Sequence, residues 1–259
     1  MIPIHDENPT LRTPVVTIAL LVCIVGVWIV VQGAGIDPQL LAATTCNWGL
    51  VPGEITRLAT VGEGVAIGHG LACIVDDDPR NALTPLTSMF LHGGWGHLLG
   101  NALFLWVFGN NVEDSMGRVR FLVFYVLCGL VASAAQILVD PSSIVPMVGA
   151  SGAISGVLGG YIVLYPRVRV HLLVFLLILV TVVTVPAWLM LGSWFVLQVL
   201  SGYVDDGSGG GVAFWAHVGG FVAGVATIRL FARRDLIEQH RRGRRVVRAS
   251  SMRRRHFLS

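Results

Sequence analysis

Four polar side chains lie within apolar stretches of this sequence, and their types fit nucleophilic hydrolysis. Ser151 opens one stretch, His217 lies near the start of another, and His97 and Asn101 lie four residues apart in a third. A serine hydroxyl becomes a good nucleophile when histidine takes its proton, and attack on a carbonyl creates an oxyanion that needs preset donors. We therefore predict Ser151 as nucleophile and His217 as base. His97, Asn101 and the backbone N–H of Ser151 are the predicted oxyanion-hole donors.

The composition decides where such chemistry would take place. Hydrophobic residues make up 54% of the 259 residues and charged residues 13%, which is too apolar for a soluble domain of this length. We predict an all-α integral membrane protein with six transmembrane helices. The apolar stretches run at 15–34, 93–111, 119–139, 150–166, 170–200 and 212–232. The fifth stretch is over-long, so Pro186 is expected to be a kink or an end point.

Charge predicts the orientation of these spans. All 18 basic residues are arginine, and with six spans 16 of them fall on one side, eleven between Arg229 and Arg255. The positive-inside rule then places both termini in the cytoplasm and the long loop of residues 35–91 outside. The first span lacks a basic leader and a small-residue cleavage site, so we interpret it as a retained helix and not as a signal peptide. We expect a multi-pass protein of a bacterial plasma membrane.

The same orientation brings the polar residues to one membrane leaflet. At about 1.5 Å per residue, His97, Asn101 and His217 lie roughly 5 to 15 Å below the outer helix ends, with Ser151 near the top of a short helix. Small residues recur every four positions in two of the spans: Gly152, Gly156 and Gly160, and Ala216, Gly220 and Gly224. This spacing lets membrane helices approach closely, so we expect the fourth and sixth spans to bring Ser151 beside His217.

The segments outside the spans indicate contact with membrane lipid and not with nucleic acid. We divide the chain into a cytoplasmic tail (1–13), a six-helix membrane domain (14–232) and a basic cytoplasmic tail (233–259). Arginines just inside a last membrane helix fix topology and touch anionic lipid, so we expect no nucleic-acid partner. No cofactor or metal site is expected.

Cys46 and Cys73 share the outer loop, where they could form a disulfide or remain two free thiols. The sequence leaves the oligomeric state undetermined.

Three separated motifs resemble those of the rhomboid intramembrane serine proteases. They are "LTSMFLHGGWGHLLGN" in the second span, "GASG" at the start of the fourth and "AHVGGFVAG" in the sixth. Glu113 and Gly117 in "FGNNVEDSMGRVRF" match a further Glu-x-x-x-Gly pattern of the family. The resemblance covers residues 14–232 and implies a six-helix rhomboid-like bundle with a long outer loop between helices one and two.

The family resemblance also implies a function. It implies a Ser151–His217 catalytic dyad, an oxyanion hole from His97, Asn101 and a backbone amide, and cleavage of transmembrane protein substrates in or near their spanning helices. The alternatives are a catalytically silent rhomboid-like binding protein, which would usually have lost the serine or the histidine, and a small-solute transporter. The transporter is disfavoured because the sequence has no repeated half and no acidic residue within a span.

Two departures from the family pattern separate this chain from many relatives. The Trp-Arg pair that they carry before the second span aligns with Leu83 and Thr84. Where some members place an aromatic residue one turn after the nucleophile, to stack on the histidine, this chain has Ser155. We expect Ser155 to fill space beside His217 or to donate a hydrogen bond to it.

Overall fold

A computed structural model of the protein describes residues 2–68, 70–176, 179–205 and 212–240. Within these ranges the helices are α1 (Val15–Val30), α2 (Pro38–Trp48), α3 (Pro52–Thr56), α4 (Thr84–Thr87), α5 (Trp95–Phe104), α6 (Asn110–Met116), α7 (Arg118–Val139), α8 (Ser151–Leu164), α9 (Ala187–Val204) and α10 (Phe214–Phe231). The strands are β1 (Ile2–Asp6), β2 (Gly64–Gly68), β3 (Leu71–Ile74), β4 (Arg169–Leu176) and β5 (Leu179–Pro186). Residues 206–211, between the fifth and sixth predicted spans, and residues 241–259, most of the predicted basic tail, lie outside the described residues.

Helices cover five of the six predicted spans and the second part of the remaining one. The turn of π-helix at Leu105–Gly109 joins α5 to α6, so residues 95–116 form one continuous helical segment. Among the described residues, α7, α9 and α10 are long and apolar enough to cross a membrane, while α1 and α8 are apolar but shorter. The structure therefore supports membrane helices in this order, and the count of six spans stays a prediction.

The helices pack around α8 and α10. Large side chains of α7 and α8, among them Phe124, Tyr125 and Tyr161, are completely buried in the shared core. By contrast, aliphatic residues on the outer faces of the bundle stay exposed, for example Leu138 at 81% and Leu200 at 56%. A protein of this size that exposes so many large aliphatic side chains is expected to have lipid around it.

The predicted helix over 170–200 is wrong in its first part. Residues 169–186 form the antiparallel strands β4 and β5, paired from Arg169 with Pro186 to Leu176 with Leu179. Val and Thr dominate the second strand, and β-branched side chains favour strands over helices because their χ1 freedom is restricted in a helix. Pro186 ends β5 at an extended backbone angle, and α9 begins at the next residue. The residues that make this apolar stretch too long for a single span therefore form a β-hairpin.

The chain's first residues extend this hairpin into a sheet. β1 pairs with β4, with Ile2 opposite Leu173 and Asp6 opposite Val170, which gives the strand order β1-β4-β5. The Asp6 side chain is buried and accepts hydrogen bonds from Tyr161 and Asn111. Burial raises the pKa of Asp6 to about 7. The sheet corrects the all-α prediction and shows that residues 2–6, predicted as part of a tail, pack against the bundle.

The outer loop between α1 and α5 is folded and contacts the start of α8. Cys46 and Cys73 form a disulfide, which settles the alternative that the sequence left open. Leu50 pairs with Met147 through two backbone hydrogen bonds of 2.9 and 2.8 Å, and Gly53 N–H donates to the Ser143 carbonyl at 2.8 Å. The loop thus holds the segment that leads directly into Ser151.

Candidate active site

Close packing of α8 on α10 creates the candidate site. A Cβ added at Gly220 would overlap the carbonyl oxygen of Gly152, and one added at Gly224 would overlap that of Gly156. Only glycine permits this approach, because any larger residue would push the two backbones apart. The prediction that the small-residue stripes form the contact between these helices is confirmed.

Ser151 and His217 meet at the end of this contact where both helices begin. Ser151 is the first residue of α8, His217 lies one turn into α10, and the Ser151 Oγ is 2.7 Å from His217 Nε2. The histidine is only 9% exposed. A hydroxyl and an imidazole nitrogen at this distance can share a proton, which is the geometry that general-base activation of a serine requires.

Helix α9 supplies two further neighbours of His217. Gln198 Oε1 lies 2.7 Å from His217 Nδ1, and the Trp194 ring lies against the imidazole with a centroid distance of 5.8 Å. Sequence reasoning missed both residues. A signal was present, because a glutamine in an apolar helix needs a polar partner and Trp194 lies one turn before it, on the same face.

Of the two roles expected for Ser155, the structure does not give the hydrogen bond to His217. The Ser155 hydroxyl donates to the Ser151 carbonyl oxygen at 2.6 Å, within α8, and Nε2 of His217 faces the Ser151 hydroxyl. The aromatic neighbour of the histidine comes from Trp194 on another helix, which could not be read from the spacing after the serine.

His97 and Asn101 both face the space beside Ser151. Gly93 N–H approaches His97 Nδ1 at 3.4 Å, so a neutral His97 carries its proton on Nε2. A Cβ on Gly149 would lie 2.6 Å from that Nε2 and 3.5 Å from the Ser151 Oγ, so both atoms border the same point. Gly149 has a φ of +128°, and both this angle and the lack of space require glycine.

The donors around this point have spare hydrogen-bonding capacity. Asn101 is 6% exposed, and its Nδ2 has no partner among the described residues. The backbone N–H of Ser151 lies at the start of α8, where the first N–H groups have no acceptor within the helix. The arrangement can therefore offer several hydrogen bonds to an oxygen bound next to the serine.

A cavity of about 720 Å³ connects these groups. Its wall includes all four predicted site residues, Ser151, His217, His97 and Asn101, together with Gln136 of α7 and Trp194 of α9. This is within the range of about 300–1,000 Å³ typical of small-molecule sites, and apolar walls with a few converging polar groups are their usual character.

His92 packs against His97, one of the residues that line the cavity. It is completely buried, and its ring centroid lies 5.2 Å from that of His97. The side-chain amide of Gln32 holds the His92 backbone: its Nε2 donates to the His92 carbonyl and its Oε1 accepts from the His92 N–H, both at 2.8 Å. Burial, and next the neighbouring His97, lowers the pKa of His92 to about 4. A neutral His92 therefore packs against His97 at neutral pH.

Glu113 and Gly117 lie at the opposite end of the bundle. The Glu113 carboxylate accepts from Val16 N–H at 3.0 Å and from both the N–H and the hydroxyl of Thr17 at 2.8 Å, at the start of α1. Gly117 has a φ of +85° and turns the chain from α6 into α7. These residues join helices and take no part in the candidate site.

Comparisons with known proteins agree with this arrangement. Residues 79–234, more than half of the chain, match the family model of the Rhomboid domain. The Rhomboid protease GluP of Bacillus subtilis is 45% identical over 74 residues, which cover 29% of this chain and 14% of that protein. Rhomboid protein 1, mitochondrial, of Saccharomyces cerevisiae is 30% identical over 158 residues, 58% of this chain and 42% of that protein.

A third relative is a protein of Toxoplasma gondii. Rhomboid-like protease 5 of Toxoplasma gondii is 32% identical over 152 residues, 54% of this chain and 16% of that protein. In each case the chain spans less than half the length of the relative it matches. The matched region includes the segments with Ser151, His217, His97 and Asn101. The apolar helices and the matched domain together identify an integral membrane protein that belongs to the Rhomboid family.

Proposed function

We propose that this chain is an intramembrane serine endopeptidase that cleaves transmembrane proteins in or near their spanning helices. The observation that carries the proposal is the 2.7 Å distance between Ser151 Oγ and His217 Nε2 in the wall of the cavity. Membership of the Rhomboid family supports it, and so do the protease names of two of the relatives above.

The reaction begins with proton transfer from Ser151 to His217. The serine oxygen attacks the carbonyl carbon of the scissile peptide bond, while Nε2 of His217 takes the hydroxyl proton. The tetrahedral intermediate collapses as the carbon–nitrogen bond breaks, and the imidazolium returns the proton to the leaving amine. Water then attacks the acyl-serine ester with the same histidine as base, which releases the carboxylate product and restores the free serine.

The negative charge on the former carbonyl oxygen is stabilised by donors around Gly149. Asn101 Nδ2, the Nε2–H of His97 and the backbone N–H of Ser151 are the proposed oxyanion hole. Donors that are fixed in place beforehand act strongly in a site from which most water is excluded, because they need no rearrangement as the charge develops.

The proposed topology places this site in the outer half of the membrane. The six proposed spans are α1, residues 93–111, which take in α5 and the start of α6, then α7, α8, α9 and α10, with both termini in the cytoplasm. The uneven distribution of arginines supports this orientation. A substrate helix would have to unwind locally to reach Ser151, because an intact helix keeps its peptide carbonyls hydrogen-bonded.

Covalent labelling of the purified protein with a fluorescent fluorophosphonate tests the proposal. Such a reagent reacts with serines that a neighbouring base activates, so we expect labelling of the wild type and none of Ser151→Ala. Ser155→Ala is the matched control, since it removes a hydroxyl one turn deeper on the same helix and should keep the label. Equal labelling of wild type and Ser151→Ala, or no labelling of the wild type, would favour a silent binding protein instead.

A further inference from the structure

Gln198 is a polar residue on a helix that is otherwise apolar at this level. Its neighbours Val196, Leu197 and Leu200 are 53%, 56% and 56% exposed, as expected for a helix with a lipid-facing side. Gln198 is half-buried on the opposite side, and its side-chain oxygen lies 2.7 Å from Nδ1 of His217. A primary amide in an apolar helix is costly, so this hydrogen bond gives its position a physical reason.

The hydrogen bond determines which nitrogen of the imidazole carries the proton. A neutral histidine has one N–H and one acceptor nitrogen, and an amide oxygen can only accept. With Oε1 of Gln198 facing Nδ1, the proton lies on Nδ1 and the lone pair of Nε2 faces the Ser151 hydroxyl. The opposite tautomer would point its Nε2–H at the Ser151 oxygen and would set the lone pairs of Nδ1 and Gln198 Oε1 against each other, which leaves the serine without a base.

Helix α9 also fixes the plane of the imidazole. Trp194, one turn before Gln198, lies against the ring at 36° to its plane, and it also contacts Phe221 one turn further along α10. Phe195 stacks on the same Phe221 with a centroid distance of 4.6 Å. The aromatic contacts dock α9 on α10, so the amide of Gln198 is presented to His217 from a fixed direction.

We propose that Gln198 is a positioning residue that completes a Ser151–His217–Gln198 relay, with α9 supplying the third member. The inference rests on the proposed peptidase function and extends it, because it makes the orientation of the base depend on a helix that carries neither reacting group. Gln198 acts through His217 and touches no reacting atom itself.

Gln198→Met is the first test, since methionine keeps the length of the side chain and loses the amide acceptor. Misplacement of a catalytic group by about 1 Å can cost about 100-fold, so we expect kcat to fall about 10- to 100-fold, with KM within about threefold of wild type. The measurement is cleavage of a model transmembrane substrate in detergent, with fluorophosphonate labelling slowed in the same proportion. Leu197→Ala, one position away on the lipid-facing side, is the control and should match the wild type.

Gln198→Glu separates orientation of the base from a merely structural contact. A carboxylate at the same distance keeps an acceptor on Nδ1 but stabilises the imidazolium, so the acid limb of the kcat profile should move to higher pH by about one unit or more. His97, Asp140 and Asp205, the other titratable side chains in the cavity wall, are the same in both proteins. A contact that only ties α9 to α10 would change thermal stability and leave the limb in place.

The outcomes are distinguishable from failure of the peptidase proposal. If the wild type cleaves and labels while Gln198→Met keeps the wild-type kcat, or Gln198→Glu has a superimposable pH profile, the positioning role is overturned and the dyad stands. If the wild type neither cleaves nor labels, the peptidase function itself fails.

Discussion

Asn101 and Glu113 are buried polar residues of the same continuous helical segment, yet they are used differently. Asn101 is 6% exposed and has an unpartnered Nδ2 beside a cavity that also contains Ser151 and His217. Glu113 is 4% exposed, and its two carboxylate oxygens accept three hydrogen bonds from Val16 and Thr17. Burial alone therefore does not separate a chemical group from a structural one.

Spare hydrogen-bonding capacity next to open space makes the difference. A buried polar group is costly unless it is paired, so Glu113 is fully used in holding the start of α1. A buried donor without a partner is also costly in free energy, and it is tolerated where the oxygen of a bound ligand can accept its hydrogen bond. The end of the bundle that contains Asn101 therefore has a free donor beside a cavity, and the end that contains Glu113 has its polar group fully paired within the protein.

Substitution of Ser151 or His217 should produce the largest loss of cleavage activity. Ser151→Ala and His217→Ala should each lower kcat on the order of 10⁶-fold, since nucleophile and base act as one unit. Cleavage of a model transmembrane substrate by the purified variants measures this, with Ser155→Ala as the matched serine control. Cleavage at the wild-type rate by either variant would contradict a catalytic role for Ser151 and His217.

Asn101→Ala should have the next largest effect. Loss of one oxyanion-hole donor typically costs about 100- to 1,000-fold in kcat, because the remaining donors still act. Fluorophosphonate labelling of Ser151 should persist at a reduced rate. Asn101→Asp, which keeps the size but loses the donor, should be at least as impaired. An unchanged kcat in both variants would reassign Asn101 to helix packing, as for Glu113.

Ser155→Ala should change turnover only slightly. The variant loses the hydrogen bond that the Ser155 hydroxyl donates to the Ser151 carbonyl, and it leaves the Ser151–His217 pair in place. We expect kcat to fall by no more than about tenfold, or 1.4 kcal/mol. Ser193→Ala removes the same type of bond, from a serine to the Met190 carbonyl on α9, and serves as control. A loss as large as that of Ser151→Ala would place Ser155 among the reacting groups.

Glu113→Ala should leave the chemistry intact and weaken the fold. The backbone N–H groups of Val16 and Thr17 lose their acceptor, which should lower the free energy of unfolding by roughly 2 kcal/mol. Turnover per folded molecule should stay within about twofold of wild type, since no reacting atom is near. Thermal unfolding in detergent measures the first effect and active-site titration the second.

An exposed carboxylate provides the comparison for Glu113. Asp235 pairs with Arg233 at 2.8 Å on the surface, where solvent screens the ion pair, so Asp235→Ala should lower the free energy of unfolding much less than Glu113→Ala. If the two variants were equally stable, Glu113 would be no more important to the fold than a surface ion pair. A loss of turnover per folded Glu113→Ala molecule would contradict the division between the two ends of the segment.

The sequence by itself determined the polar candidates and the contact that joins them. Ser151 and His217 lie next to stripes of small residues, and the fixed rise and repeat of a helix convert such spacing into depth and face. The boundaries of α7 and α10 could be predicted within about two residues, because each is a long apolar stretch with charged or glycine-rich sequence beyond its ends. The residue types suggested the roles of nucleophile and base, and the resemblance to the Rhomboid motifs implied the same roles.

The tertiary structure decided everything that depends on how one element turns toward another. The apolar run before Pro186 could be a helix or a hairpin, since a stretch that is apolar on every side has no periodicity, and pairing with β1 settles it as a sheet. The contact of Gln198 and Trp194 with His217 depends on the rotation of α9, and the Cys46–Cys73 disulfide on the path of the outer loop. Local sequence fixes a residue's position along its own helix, but distances between helices follow only from the packing of the whole bundle.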